Sequence, residues 1–127
     1  MRVFKKRESL TGGGLYRQWE EWDIGDIIVG KLVGFHTDKF DKVGVKLEVE
    51  YASLKDKSES KYLNKVLSIN NCGSLGKAFI ELKNDDRIGE LFQFEYQGTT
   101  EVLKGKFAGK DCHVVELSTV EDDSEDL

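Results

Sequence analysis

Val43-Gly44-Val45-Lys46-Leu47-Glu48-Val49-Glu50-Tyr51 alternates in polarity from end to end. In an extended chain, successive side chains point to opposite faces. Val43, Val45, Leu47, Val49 and Tyr51 then share one face, while Lys46, Glu48 and Glu50 share the other. One side is built to be buried and the other to meet water, so the stretch predicts a half-buried β-strand. Upstream, Ile27 to Thr37 is a second β segment, interrupted by Gly30 and Gly34. Glycines inside an otherwise strong strand predict bends or bulges where a sheet curls. The short link Asp38-Lys39-Phe40-Asp41 joins the two as a hairpin.

Beyond Tyr51 the pattern changes. Residues 53–61 are polar and predict a mobile loop, and Tyr62 to Ile69 predicts a third strand. Asn71-Cys72-Gly73 is a turn, with Ser74 positioned as a helix N-cap. Leu75, Ala78, Phe79 and Leu82 recur at helical spacing, and Asn84-Asp85-Asp86 ends that run. A fourth strand, Leu91 to Gln97, places Phe92, Phe94 and Tyr96 on one side, where they are expected in the core together with Tyr51. A glycine- and lysine-rich link leads to a fifth strand near Cys112–Val120. Before the first strand, Leu15, Trp19 and Trp22 predict a short helix or turn capping the core. Five strands with one helix between the third and fourth is the order of the OB-fold, a partly open Greek-key barrel, so a mainly β OB barrel is expected over residues 15–120.

The 127 residues suffice for one domain. No stretch approaches the roughly 18 apolar residues of a membrane span. The start Met1-Arg2-Val3-Phe4-Lys5-Lys6-Arg7 lacks the apolar run of a secretory signal, and an intracellular protein without membrane partners is expected. Residues 1–14 read as a basic flexible arm ending in Gly12-Gly13-Gly14. At the other end, Glu121, Asp122, Asp123, Glu125 and Asp126 supply five of the 24 acids. The remaining acids equal the 19 Lys and Arg in number, so the tail 121–127 carries the whole net charge of −5. Five like charges with no apolar partner except Leu127 stay solvated. The tail is an anion available to a partner protein or to a basic groove on its own body.

Two loops repeat one pattern of bases around an aromatic ring: Lys39-Phe40-Asp41-Lys42, and Lys104-Gly105-Lys106-Phe107-Ala108-Gly109-Lys110. Single-stranded nucleic acid needs that pairing, ammonium groups for phosphates and ring faces for unpaired bases. On an OB barrel both loops flank the ligand face, and Lys46, Lys61 and Tyr62 extend the track. The competing reading is that the lysines are merely solvated and the phenylalanines plug the barrel ends. His36, Cys72, Cys112 and His113 lack the spacing of a zinc site and read as isolated thiols and polar strand histidines. No nucleophile has an evident base, and no phosphate-loop motif follows the triple glycine. Neither catalysis, metal nor cofactor is expected.

Trp22-Asp23-Ile24-Gly25-Asp26-Ile27-Ile28-Val29-Gly30, Asn71-Cys72-Gly73-Ser74-Leu75, the lysine-rich link and the acidic end together resemble a bacteriophage-type single-stranded DNA-binding protein over residues 20–127. The resemblance implies a protein that coats exposed single strands in DNA replication, recombination and repair. It also implies a tail that recruits replication and recombination proteins and competes with DNA. Leu127 departs from the aromatic end of several such proteins. An OB adaptor for protein assembly and an RNA-binding protein are the alternatives, and self-association stays open.

Overall fold

Two extra residues decide how the central hairpin curls. In the computed structural model, which describes residues 15–37, 41–73, 75–101 and 111–121, strands β2 (Ile27–Thr37) and β3 (Val43–Ser53) pair antiparallel. Val29 faces Tyr51 while Gly30 faces Val49, so Glu50 has no opposite number. Leu32 faces Leu47 and Gly34 faces Lys46, so Val33 is the second extra residue. Each insertion bends its strand and raises the local twist. Both lie beside the glycines that the sequence singles out. At Gly30 a side chain would meet the Glu48 carbonyl and the Leu47 side chain, so the two strands close in only because that position is bare.

Around this hairpin the sheet has six strands in the order β1-β4-β3-β2-β5-β6, with β1 (Leu15–Tyr16), β4 (Val66–Ile69), β5 (Leu91–Glu101) and β6 (Asp111–Thr119). The β1–β4 pair is parallel and every other pair antiparallel. Among the described residues the protein is mainly β, with two α-helices, α1 (Glu59–Tyr62) and α2 (Gly76–Asn84). Strands β2 to β6 are the five expected ones in the expected order. The sixth is new: Leu15 and Tyr16 extend along Leu67 and Ser68, and the expected short helix or turn is a 3-10 turn at Trp19–Glu21. Barrel closure also differs from expectation, because β1 and β6 form the two edges of an open sheet among the described residues.

The third expected strand is half its predicted length, and the reason is Tyr62. Its ring is only 1 % exposed, and its hydroxyl accepts a hydrogen bond from Arg17 Nη1 at 3.2 Å. That contact holds residues 59–62 in a helical turn, and a left-handed Asn64 (φ 62°) redirects the chain before Val66. The stretch 53–61, expected as a mobile loop, is pinned by Leu54 N donating to Glu59 Oε2 at 2.8 Å and Lys55 N donating to Asp26 Oδ1 at 2.9 Å.

Helix α2 follows its periodicity. Leu75, Phe79 and Leu82 are buried, and Phe79 meets Phe94 edge-on at 6.1 Å. Ser74 lies outside the described residues, and Leu75 precedes the helix without a side-chain cap. The core gathers Ile28, Leu32, Val45, Leu47, Leu67, Ile69 and Phe92 from four strands around these rings. Each such side chain contributes roughly 1.5–3 kcal/mol on burial. Trp19 and Trp22 join it, their rings tilted at 32° with centroids 5.2 Å apart, as the cap that the sequence predicts. Among the described residues no helix is long and apolar enough to cross a membrane.

Candidate nucleic-acid interface

The outer face of β3 and β4 carries a short row of side chains fixed by register. Gly34, Lys46, Ser68 and Tyr16 lie side by side across β2, β3, β4 and β1. In the adjoining row, His36 faces Gly44. A Cβ on residue 44 would overlap the His36 imidazole, so glycine here is what lets the ring lie across β3. The ring reaches β4, where Nε2 donates to the Ile69 carbonyl at 3.3 Å. Tyr16 meets it edge-on, centroids 6.3 Å apart at 88°, and is 45 % exposed. Two rings and the half-buried Lys46 thus share one surface, with exposed Lys42 just before β3. Gly44→Ala should evict the imidazole and cost about 1–3 kcal/mol, as overpacking does. A urea melt checks the cost, and loss of the His36–Tyr16 contact by NMR checks the cause.

The bulge at Glu50 corrects one expectation. Uninterrupted alternation puts Tyr51 in the core with Phe92, Phe94 and Tyr96. Those three are buried, but Tyr51 is 54 % exposed. One extra residue reverses the parity of everything beyond it, so Tyr51 stands opposite Val29 on the same outer face as Lys46 and Glu48. Glu48 itself faces Lys31, an opposite charge.

Of the site residues named from sequence, Lys46 lies on this face and Lys42 at its margin. Lys61 and Tyr62 do not join them. Tyr62 is buried and its ring is committed to Arg17, so it offers no face to a base. Exposed Lys61 sits over that ring at 5.5 Å, past the far end of β3. Lys39, Phe40, Lys104, Lys106, Phe107 and Lys110 lie outside the described residues, as do Asp122, Asp123, Glu125, Asp126 and Leu127. Glu121 follows β6 and is exposed.

The described flanks of both lysine–phenylalanine links nevertheless meet. Val43, which follows the first link, accepts a hydrogen bond at its carbonyl from Asn71 Nδ2 at 3.1 Å. Cys112, which follows the second, fills the space beside Gly73, and the neighbouring His113 carbonyl accepts from Cys72 Sγ at 3.7 Å. One turn, residues 71–73, therefore anchors both hairpin bases. It directly follows β4, whose Ile69 holds the His36 ring.

Behind that turn lies a polar pocket of side chains. Burial raises the Tyr96 pKa, and nearby Cys72 and Glu20 add to the rise. The phenol stays protonated and donates to His113 Nδ1 at 2.7 Å. His113 Nε2 lies 3.9 Å from Glu20 Oε1, with Trp19 stacked on the imidazole at 6.3 Å. Cys72, Cys112 and His113 thus converge, contrary to the reading of isolated thiols, while His36 lies on the other face. Among the described residues no group of three or more His, Cys, Asp or Glu has the geometry to hold a metal ion.

Tyr16 and His36 are the functional candidates that sequence reasoning passes over. The available signal was Gly44, a glycine in mid-strand, which marks close approach of another group. Comparison of the chain with protein-family profiles, with curated proteins and with solved structures gave no match.

Proposed function

We propose that the chain is a non-enzymatic, sequence-tolerant single-stranded DNA-binding protein with an OB-type body. Its body is formed by β2 to β6, with α2 as the helix between the third and fourth strands. The observation that carries this reading is the shared anchor: both links that pair lysine with phenylalanine spring from flanks fixed to residues 71–73, beside the Tyr16–His36 ring pair. In the OB arrangement the ligand crosses the second and third strands between the two corresponding loops. Here those strands are β3 and β4, the ones under the ring pair.

The chemistry divides by residue type. Tyr16 and His36, with Phe40 and Phe107 from the links, stack on bases. Lys39, Lys42, Lys46, Lys104, Lys106 and Lys110 neutralise phosphates. Leu15 sits at the sheet edge, so the basic arm before it, with Arg2, Lys5, Lys6 and Arg7, joins the body at the Tyr16 end of this face. The protein acts on exposed strands in replication, recombination or repair, and the tail engages partner proteins.

Anisotropy titrations of labelled single-stranded DNA, duplex DNA and RNA of equal length test the proposal. Single strands should bind at least about tenfold more tightly than duplex at low salt, because only unpaired bases present faces to stack. Equal affinity for single strand and duplex sinks it, and stronger binding of RNA moves the assignment to RNA. Deleting residues 121–127 should tighten binding several-fold at low ionic strength. The gain should fade near ~0.15 M salt, where charges beyond ~8 Å are screened. An unchanged isotherm at every salt concentration shows that the tail never visits the groove.

A further inference from the structure

The chain has two cysteines, and the fold brings them to one acceptor. Cys72 Sγ donates to the His113 carbonyl at 3.7 Å and Cys112 Sγ donates to the same oxygen at 3.5 Å. The two sulfurs are therefore no farther apart than the sum of those distances. Cys112 Sγ occupies the space that a side chain at Gly73 would fill, so it lies against the residue next to Cys72. A disulfide requires Cα atoms about 4.4–6.8 Å apart and no group between the sulfurs. Gly73 places no side chain beside Cys112 Sγ, and a change of side-chain torsion at each cysteine can bring the sulfurs closer. Both residues are half-buried, so a small oxidant can reach them.

We propose that Cys72 and Cys112 form a reversible intramolecular disulfide that closes the sheet. The link would tie the turn after β4 to the start of β6, across a seam where the described strands share no ladder. A low-molecular-weight disulfide such as oxidised glutathione is the electron acceptor. The thiolate of one cysteine attacks a glutathione sulfur, forming a mixed disulfide and releasing one glutathione thiolate. The second cysteine's thiolate then attacks the protein-side sulfur and expels the other glutathione. Two protein thiols and one glutathione disulfide become one protein disulfide and two glutathione thiols, so the two protons and two electrons are balanced. This inference stands apart from the nucleic-acid reading, since it needs neither lysines nor ligand. It bears on that reading in one respect: Cys112 follows the 104–110 link, so oxidation fixes one flank of it.

The test uses the full chain treated with oxidised glutathione and then analysed by intact mass and non-reducing peptide mapping. The expected product is a monomer lighter by two hydrogens, with the peptides holding Cys72 and Cys112 joined. Its thermal midpoint should lie on the order of 5–10 °C above that of the reduced chain and return with dithiothreitol. Cys72→Ser and Cys112→Ser should each hold a glutathione adduct instead and show no rise. Stable adducts on both wild-type cysteines, or a disulfide-linked dimer as the main product, would overturn the pairing. A joined product whose midpoint does not rise would overturn the seam-closing role.

Discussion

Arg17→Ala should cost about 3–5 kcal/mol of folding stability, the usual penalty for breaking a buried ion pair from one side. Against a typical total of about 5–15 kcal/mol, that leaves the protein close to unfolded at ordinary temperature. Arg17 is 5 % exposed and Asp26 1 % exposed, and Nη2 lies 3.1 Å from Asp26 Oδ2. The same guanidinium donates to the Glu21 carbonyl at 2.7 Å and to Ser58 Oγ at 3.2 Å. The guanidinium carbon also lies over the rings of Trp22 and Tyr62, 5.5 Å from each centroid.

Asp26 is equally committed, because its carboxylate accepts from Asp23 N at 2.9 Å and Lys55 N at 2.9 Å. The pair therefore bolts the exit of β1 and the start of β2 to the turn before α1. Asp26→Ala should cost as much as Arg17→Ala. The double variant should cost less than the two losses added, since each single change leaves the other charge buried alone. The pair with Asp56, 3.2 Å away but on a side chain 41 % exposed, should add little, and Asp56→Ala serves as the control. Urea denaturation of the wild type and these four variants measures all of this. Strict additivity would show that Arg17 and Asp26 are not energetically coupled.

The second large effect concerns binding. Tyr16→Ala combined with His36→Ala should weaken binding to single-stranded DNA by about 30- to 20,000-fold, from two stacking contacts of about 1–3 kcal/mol each. The salt dependence of binding should change little, because stacking on a base releases no counterions from phosphate. Lys42→Ala and Lys46→Ala should do the opposite, each lowering the slope of log affinity against log salt by about 0.7. Tyr51→Ala measures how far the track runs along β3. Wild-type affinity in the Tyr16–His36 double variant, with its circular dichroism intact, would remove the ring pair from the site.

Most of the strand pattern was readable along the chain because burial on one side enforces period two. Ile27 to Thr37, Leu91 to Gln97 and the helix from Leu75 to Leu82 each carry their own signal and formed at those places, although the strand from Leu91 runs on to Glu101, into the stretch expected as a link. The misreadings share one cause: a residue recruited by a partner far away in sequence. Tyr62 looked like the start of a strand, yet Arg17 drew it into a helical turn. Leu15 looked like part of a short helix or turn with the tryptophans, yet the open side of β4 offered it and Tyr16 a ladder. Tyr51 obeyed the alternation in sequence and left it in space.

The candidate site divides along the same line. Lys42 and Lys46 were legible because charge at exposed strand positions is a local property. Tyr16 and His36 were not, because nothing in their neighbours announces that β1 will lie beside β4 or that Gly44 will seat an imidazole.

Composition and periodicity settled a mainly β chain with one amphipathic helix after its third core strand, a charge-neutral body and a segregated anionic end. Those are sums or repeats over neighbouring residues, and solvent enforces them wherever the chain folds. Register, the parity reversal at Glu50, the buried Arg17–Asp26 pair and the meeting of two hairpin bases on residues 71–73 came from the assembled sheet alone. Each depends on groups distant in sequence competing for one hydrogen bond or one volume. Which group prevails is decided only once the strands lie side by side.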